Sequence, residues 1–134
     1  MKYAFYLFIL LGTLNGCTTT KNYPPATDAL DAAREFLGSC LKGDFEKAAA
    51  YMVIDEPNKK LLKEAEETYR AKSVNQQKQF GEASLQNISI EEVSTTTTLI
   101  YYTYSFDKVA RKVKAVLNNN IWLVDFKYTF NPNL

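Results

Sequence analysis

Residues 97–130, TTLIYYTYSFDKVARKVKAVLNNNIWLVDFKYTF, decide how this chain folds. β-Branched and aromatic side chains crowd three runs, 97–106, 109–117 and 121–130, and each run carries a two-residue alternation. Between the runs stand Asp107-Lys108 and Asn118-Asn119-Asn120, where Asn and Asp tolerate positive φ and bond locally to the backbone. Links this short join antiparallel neighbours. On the last run Trp122, Val124, Phe126, Tyr128 and Phe130 share one parity, so they are expected to form one apolar face that needs an apolar partner.

Toward the amino terminus, residues 85–93 read as a further strand, and before Gly81 the period lengthens from two to about 3.6. Ala29, Ala33, Phe36, Leu37, Cys40 and Leu41 form a helical stripe that Thr27 or Asp28 can cap and Gly43 can end. Asp44 is placed to cap a short helix through Met52, with Phe45, Ala48, Ala49 and Met52 facing inward. Pro57 suits the first turn of a third helix, since its missing N–H would be unpaired there anyway. Leu61, Leu62, Ala65, Tyr69 and Phe80 mark its inner side, and Gly81 its end. The expectation is an α+β fold, with N-terminal helices packed on one face of a four-stranded antiparallel sheet.

The first residues read differently. Lys2 gives a short positive end, and residues 3–14 are apolar over a length too short to span a bilayer, which takes about 20 residues. The run closes in Leu14-Asn15-Gly16-Cys17, which resembles the lipobox of bacterial prolipoproteins. The alternative is an ordinary secretory signal followed by an incidental cysteine. The resemblance implies a signal peptide over 1–16, a diacylglyceryl thioether on Cys17, an acylated (palmitate-type) new amino terminus and a lipidated tether over 17–27. Residues 28–134 would then be the domain, and the membrane is its partner through the anchor. Stable attachment generally takes more than one acyl chain. Thr18 is not the Asp that retains some lipoproteins at the inner membrane, so the expected place is the outer membrane, facing the periplasm.

Composition excludes several chemistries. The chain has sixteen basic and fifteen acidic side chains; the leader holds one basic residue, Lys2, so the remainder balances. A dedicated nucleic-acid binder needs a basic surplus to neutralise phosphates, so no nucleic acid is expected. There is no histidine, no Cys or His cluster for a metal, and no Gly-rich phosphate loop, so neither metal nor cofactor is expected. Cys40 is the one thiol left once Cys17 carries lipid; it reads as core packing rather than a reactive group. Glu66-Glu67 and Glu91-Glu92 are neighbours that diverge in a helix and in a strand, so neither pair can act together on one substrate.

Ala32-Ala33 and Phe36, then Gly43-Asp44-Phe45 with Ala48, Ala49 and Tyr51, and finally Asn119-Asn120-Ile121-Trp122-Leu123-Val124-Asp125 resemble the nuclear transport factor 2-like superfamily. The likeness is to its small bacterial lipoproteins, and it covers nearly all of the domain. It implies a cystatin-like cone, in which a curved sheet and its helices enclose a pocket. Some members use that pocket for catalysis, with carboxylates and often His, and others for ligand binding.

Five residues are candidates for such a pocket: Tyr101, Tyr104, Arg111, Trp122 and Asp125. Tyr101 and Tyr104 have opposite parity, so they serve opposite faces; their plain alternative is cross-strand packing. Arg111 points away from Lys112 and Lys114, among apolar neighbours, and could hold a buried carboxylate or an anionic ligand. Lys108, Lys112 and Lys114 share parity and read as a charged solvent face. Asp125 is the catalytic candidate by family analogy, yet it alternates to the face opposite Trp122 and reads as a solvated strand carboxylate. The functional expectation is an envelope lipoprotein with a non-catalytic domain that binds a small molecule or a protein. A pocket enzyme of isomerase or dehydratase type and a purely structural subunit of an envelope complex are the alternatives.

Overall fold

A computed structural model describes residues 21–130. Cys17 and the segment expected to be a signal peptide lie outside the described residues.

Helix α1 (Ala29–Lys42) begins where Asp28 turns extended and accepts a 2.8 Å hydrogen bond from the Asp31 amide. Such a cap satisfies one of the orphan amides of a helix start. The helix ends at Gly43, whose φ of 76° lets its amide reach the Cys40 carbonyl and lets the Asp44 amide reach Ser39. Glycine is required twice over, because a Cβ here would lie 2.5 Å from the Tyr69 ring. Asp44 then caps α2 (Phe45–Ala50) through the Lys47 amide. Asp55 caps α3 (Glu56–Arg70), which carries Pro57 in its first turn.

The single third helix expected to reach Gly81 is two helices. α3 stops at Arg70, and α4 (Val74–Gly81) starts afresh from Ser73. Ser73 Oγ accepts from the Gln76 amide while Gln76 Oε1 accepts from the Ser73 amide, a reciprocal cap that favours a new helix start over continuation. Gln77 donates its side-chain amide to the carbonyls of Tyr69 and Lys72, covering groups that the break leaves open.

The sheet has the order β1 (Leu85–Ser94), β2 (Thr97–Tyr104), β3 (Arg111–Asn118), β4 (Ile121–Asp125), with each neighbouring pair antiparallel. The β3–β4 hairpin turns on Asn119 and Asn120, both at positive φ, as a two-residue turn requires. α1 lies across β2, β3 and β4. Ala32, Ala33 and Phe36 are fully buried there with Ile100, Val113, Ala115 and Val124. The two alanines leave room for the helix to sit close to the sheet, and Phe36 meets Phe126 edge-on at 5.0 Å.

Four further expectations change. β3 begins at Arg111 rather than Val109, which leaves Lys108 in a loop at positive φ and outside the lysine stripe. Asp107 holds that loop by accepting from the Val109 amide. β4 ends at Asp125, and residues Lys127–Phe130 form a helical turn, α5. The strand stops because the Lys127 amide bonds to the side chain of Asn58 at 2.7 Å instead of to a neighbouring strand. Trp122, Val124 and Phe126 keep the expected side, whereas Tyr128 swings to the outer sheet face beneath Lys112 and Lys114. Asp125 is not solvated but 6 % exposed, on the outer face beside Lys114.

Finally, the expected tether is docked from Lys21 onward. Tyr51 donates its hydroxyl to the Pro24 carbonyl at 2.8 Å, and Tyr23 and Ala26 pack against the core. Low overall hydrophobicity had hidden Tyr23, whose single ring supplies the burial. The same Tyr51 segment closes the free edge of β4, through Val124 N–H to Tyr51 O and Val53 N–H to Val124 O.

Candidate functional site

Between the helical layer and the open ends of β2 and β3 lies a cleft of about 560 Å³. Its floor and one wall come from Cys40 and Leu41 of α1 and Phe45 of α2. α3 supplies Leu61, Ala65 and Tyr69, spaced at helical intervals so that one face of the helix is turned to the cleft. Phe80 of α4, Tyr104 of β2, Arg111 of β3 and Phe130 of α5 complete it, with Glu64, Thr68 and Lys72 at the edge. The lining is mainly apolar with a few polar groups, the usual make-up of a small-molecule site.

Among the described residues two cations line it, Lys72 and Arg111, and Arg111 is the more firmly held. Both terminal nitrogens bond to the Asp107 carboxylate, at 2.9 and 2.6 Å, and Nη1 also donates to the Val109 carbonyl. The guanidinium lies 4.6 Å from the Tyr104 ring centre, a cation–π contact. Arg111's hydrogen bonds draw the Asp107 carboxyl down to about 2. Among the described residues, three of the five guanidinium N–H groups are thereby used, leaving Nε and one on Nη2. Burial pushes the Tyr104 hydroxyl well above its ordinary range and that of Tyr102 upward too, so both are neutral donors at physiological pH. Tyr102, Tyr104, Phe106 and Phe80 form a ladder of rings with centroids 5.3, 5.4 and 4.7 Å apart, and Lys72 sits over Phe80 as Arg111 sits over Tyr104. The Cys40 thiol is pushed by burial up to about 12, so it stays protonated and is a poor nucleophile.

Of the five sequence candidates, the fold brings together Tyr104 and Arg111. Tyr101 is on the outer sheet face, where its hydroxyl donates to Glu91 at 2.7 Å. Trp122 packs half-buried at the core margin, and it lines neither this cleft nor the groove between α2 and α3.

Asp125 belongs to a buried polar cluster. It accepts from Asn58 Nδ2 at 3.1 Å and pairs with Lys127 at 2.5 Å and Lys114 at 3.3 Å, while Lys127 also reaches Asp55 at 2.8 Å. Burial pushes Asp125 up, but the hydrogen bonds from Lys127, Asn58 and Lys114 outweigh it and hold the carboxyl below its usual value. The Lys127 hydrogen bond likewise holds Asp55 low. A carboxylate so committed, and outside both concavities, is a fastener between α3 and the end of β4. Sequence reasoning missed Asn58, which is fully buried. Its spacing was a usable signal: Asn58, Leu62, Ala65 and Tyr69 share the inner stripe of α3, and a polar residue on an apolar stripe needs a partner.

The second concavity, about 640 Å³, runs between α2 and α3 over Phe45, Ala49, Met52 and Leu62, and its rim mixes acids with Lys59, Lys63 and Arg70. Among the described residues no group of three or more acidic, His or Cys side chains could hold a metal ion, and no helix is long and apolar enough to cross a membrane. No known protein family's sequence profile matches the chain, nor does any curated protein.

Proposed function

We propose that this chain is the precursor of a lipid-anchored envelope protein whose helix–sheet cleft binds, without catalysis, small apolar molecules that carry an anionic end. The anchor reading rests on the Leu14-Asn15-Gly16-Cys17 resemblance, and Thr18 favours the outer membrane on its periplasmic side. The α+β architecture, with helices over one face of a four-stranded sheet, is compatible with a cystatin-like cone of the nuclear transport factor 2-like type. One observation carries the binding reading: Arg111, fixed on Tyr104 and with two N–H groups uncommitted, stands in the wall of an otherwise mainly apolar cleft. A cation held in place before the ligand arrives loses little entropy on binding, and a carboxylate or phosphate matches its planar fork. Acid–base chemistry has little support: the chain lacks histidine, Glu64 is the one carboxylate lining the cleft, and the Cys40 thiol is protonated.

The test is a thermal-shift and calorimetric series in which apolar carboxylates are compared with their neutral amides or alcohols on the chain from Cys17 onward. Acids should raise the midpoint and their neutral partners should not, and Arg111→Gln should abolish the difference. Equal response to acid and neutral forms, or none to either, would remove the reading.

A further inference from the structure

The seven residues before Asp28 are a strap, and they fix which side of the domain the anchor can approach. Tyr51 O–H bonds to Pro24 O at 2.8 Å, Tyr23 lies partly buried with its ring 6.5 Å from that of Tyr51, and Lys21 Nζ is 3.3 Å from Glu46 on α2. Between Lys21 and Cys17 stand only Thr18, Thr19 and Thr20. At no more than ~3.6 Å per residue, four steps of chain reach about 14 Å. That is little more than the ~10–12 Å diameter of one helix with its side chains. A free tether from Cys17 to Thr27 would reach more than twice as far and leave every face of the domain available to the bilayer.

Resting on the anchor at Cys17 proposed above, we infer that the domain meets the lipid surface with the side that carries Lys21 and α2. The outer sheet face, with Glu91, Tyr101 and Lys112, is then held away from the bilayer, behind the thickness of helices and sheet. Glu46 and Ile54 both belong to the groove between α2 and α3, so this groove borders the same side. Ile54 is 75 % exposed, an apolar tip suited to the headgroup boundary. Charges on this side are paired, Lys21 with Glu46 and Lys47 with Glu35, so the short chain rather than electrostatic attraction sets the orientation. The orientation is therefore independent of the anionic lipid content.

The geometry can be tested apart from the anchor's chemistry. The chain beginning at Cys17, which retains every described residue, is coupled through that thiol to a maleimide lipid in nanodiscs; half-buried Cys40 stays protonated at neutral pH and does not compete. Lipids bearing a nitroxide headgroup then broaden nearby amide signals. Signals from α2 and from the strap should be lost while those of Tyr101 and Lys112 persist, with neutral and with anionic lipid alike. The double variant Lys21→Ala, Tyr51→Phe frees the strap and should spread weak broadening over all faces. Uniform broadening in the unsubstituted chain, strongest loss on the outer sheet face, or an orientation that changes with lipid charge would overturn the inference. Mass spectrometry of envelope-purified protein reports separately on the anchor: an unmodified Cys17 would defeat the anchor reading, whatever the nanodiscs show.

Discussion

Replacing Asn58 with alanine should weaken the fold more than any surface substitution can. Its side chain is fully buried and makes two hydrogen bonds, one donated to the Asp125 carboxylate at 3.1 Å and one accepted from the Lys127 amide at 2.7 Å. A hydrogen bond to a charged group contributes ~1.5–3 kcal/mol and a neutral one ~0.5–1.5 kcal/mol, and removing one partner leaves the other desolvated. The loss is therefore about 3 kcal/mol, a large share of the ~5–15 kcal/mol that separates folded from unfolded domains. In urea, with a slope of ~1–3 kcal/mol/M, the midpoint should fall by about 1–3 M at unchanged slope. Asn58→Asp is the sharper probe. It keeps an acceptor for Lys127 but sets a second carboxylate against Asp125, so it should be worse than alanine at neutral pH and recover as acid protonates the pair. A loss under ~0.5 kcal/mol for alanine, the level of an ordinary surface change, would refute the view that this cluster fastens α3 to the sheet.

Proton linkage gives the same cluster a direction. Asp125 and Asp55 both have carboxyls held below the unfolded value of ~3.9. The unfolded chain therefore binds these protons first as pH falls, so the stability they contribute is fully present above ~pH 4 and is lost as pH drops through the folded values. Acid unfolding followed by far-ultraviolet dichroism should be steeper below pH 4 in the natural chain than in Asp125→Asn.

Three other outcomes follow from single residues. Gly43→Ala places a Cβ 2.5 Å from the Tyr69 ring at a φ of 76°, and the left-handed backbone alone disfavours alanine by ~1–2 kcal/mol; adding Tyr69→Ala should relieve the clash and leave the backbone part, as thermal melts would show. Asp107→Ala frees the two Arg111 nitrogens that it holds, so apolar carboxylates should bind more tightly in calorimetry; weaker or unchanged binding would deny Arg111 the role of anion anchor. Cys40 should resist thiol reagents at neutral pH until urea unfolds the chain, in contrast with Cys17 in the same sample.

Much of the fold could be read from periodicity and punctuation. Asp28, Gly43, Asp44 and the paired asparagines bound their elements as expected, because each acts on backbone groups within a few residues. Misreadings fall where a distant partner decides. Nothing local to residues 121–130 says that Lys127 N–H will bond to Asn58, and without that bond the alternation runs on to Phe130. Alternation also gives the side of Asp125 but not its burial, which comes from Asn58 and Lys114 arriving from two other places in the chain and from Lys127 turning back on it from two residues away. The α3–α4 break is different in kind, since Ser73 and Gln76 have the spacing of a reciprocal cap and were legible as such. Within the site, parity separated Arg111 from the lysines and Tyr104 from Tyr101, but it is the register pairing Tyr102 with Arg111 that brings Arg111 and Tyr104 to one face. It could not assign Trp122 or Tyr101 to a cavity, because a strand's parity names a face and not what covers it.

These pieces meet in α3. Only Asn58 and Leu62 of its residues are buried, so little apolar contact holds the helix down along its length. Elements with few buried contacts open at lower free energy than the core. Yet α3 is a wall of both concavities, with Leu62 toward α2 and Leu61, Ala65 and Tyr69 toward the cleft. Asn58 fastens its first turn to β4, and Tyr69, packed edge-on against Phe45 at 5.8 Å, holds its last. The cleft's width thus depends on a polar cluster that does not line it. Asn58→Ala should lower affinity for apolar carboxylates and speed amide exchange along α3 even where the protein remains folded, while Tyr101→Phe, on the outer face, should change neither. If ligand affinity holds steady as α3 exchange rises, the cleft does not need its helical wall in place, and the binding site has to be sought elsewhere on the sheet.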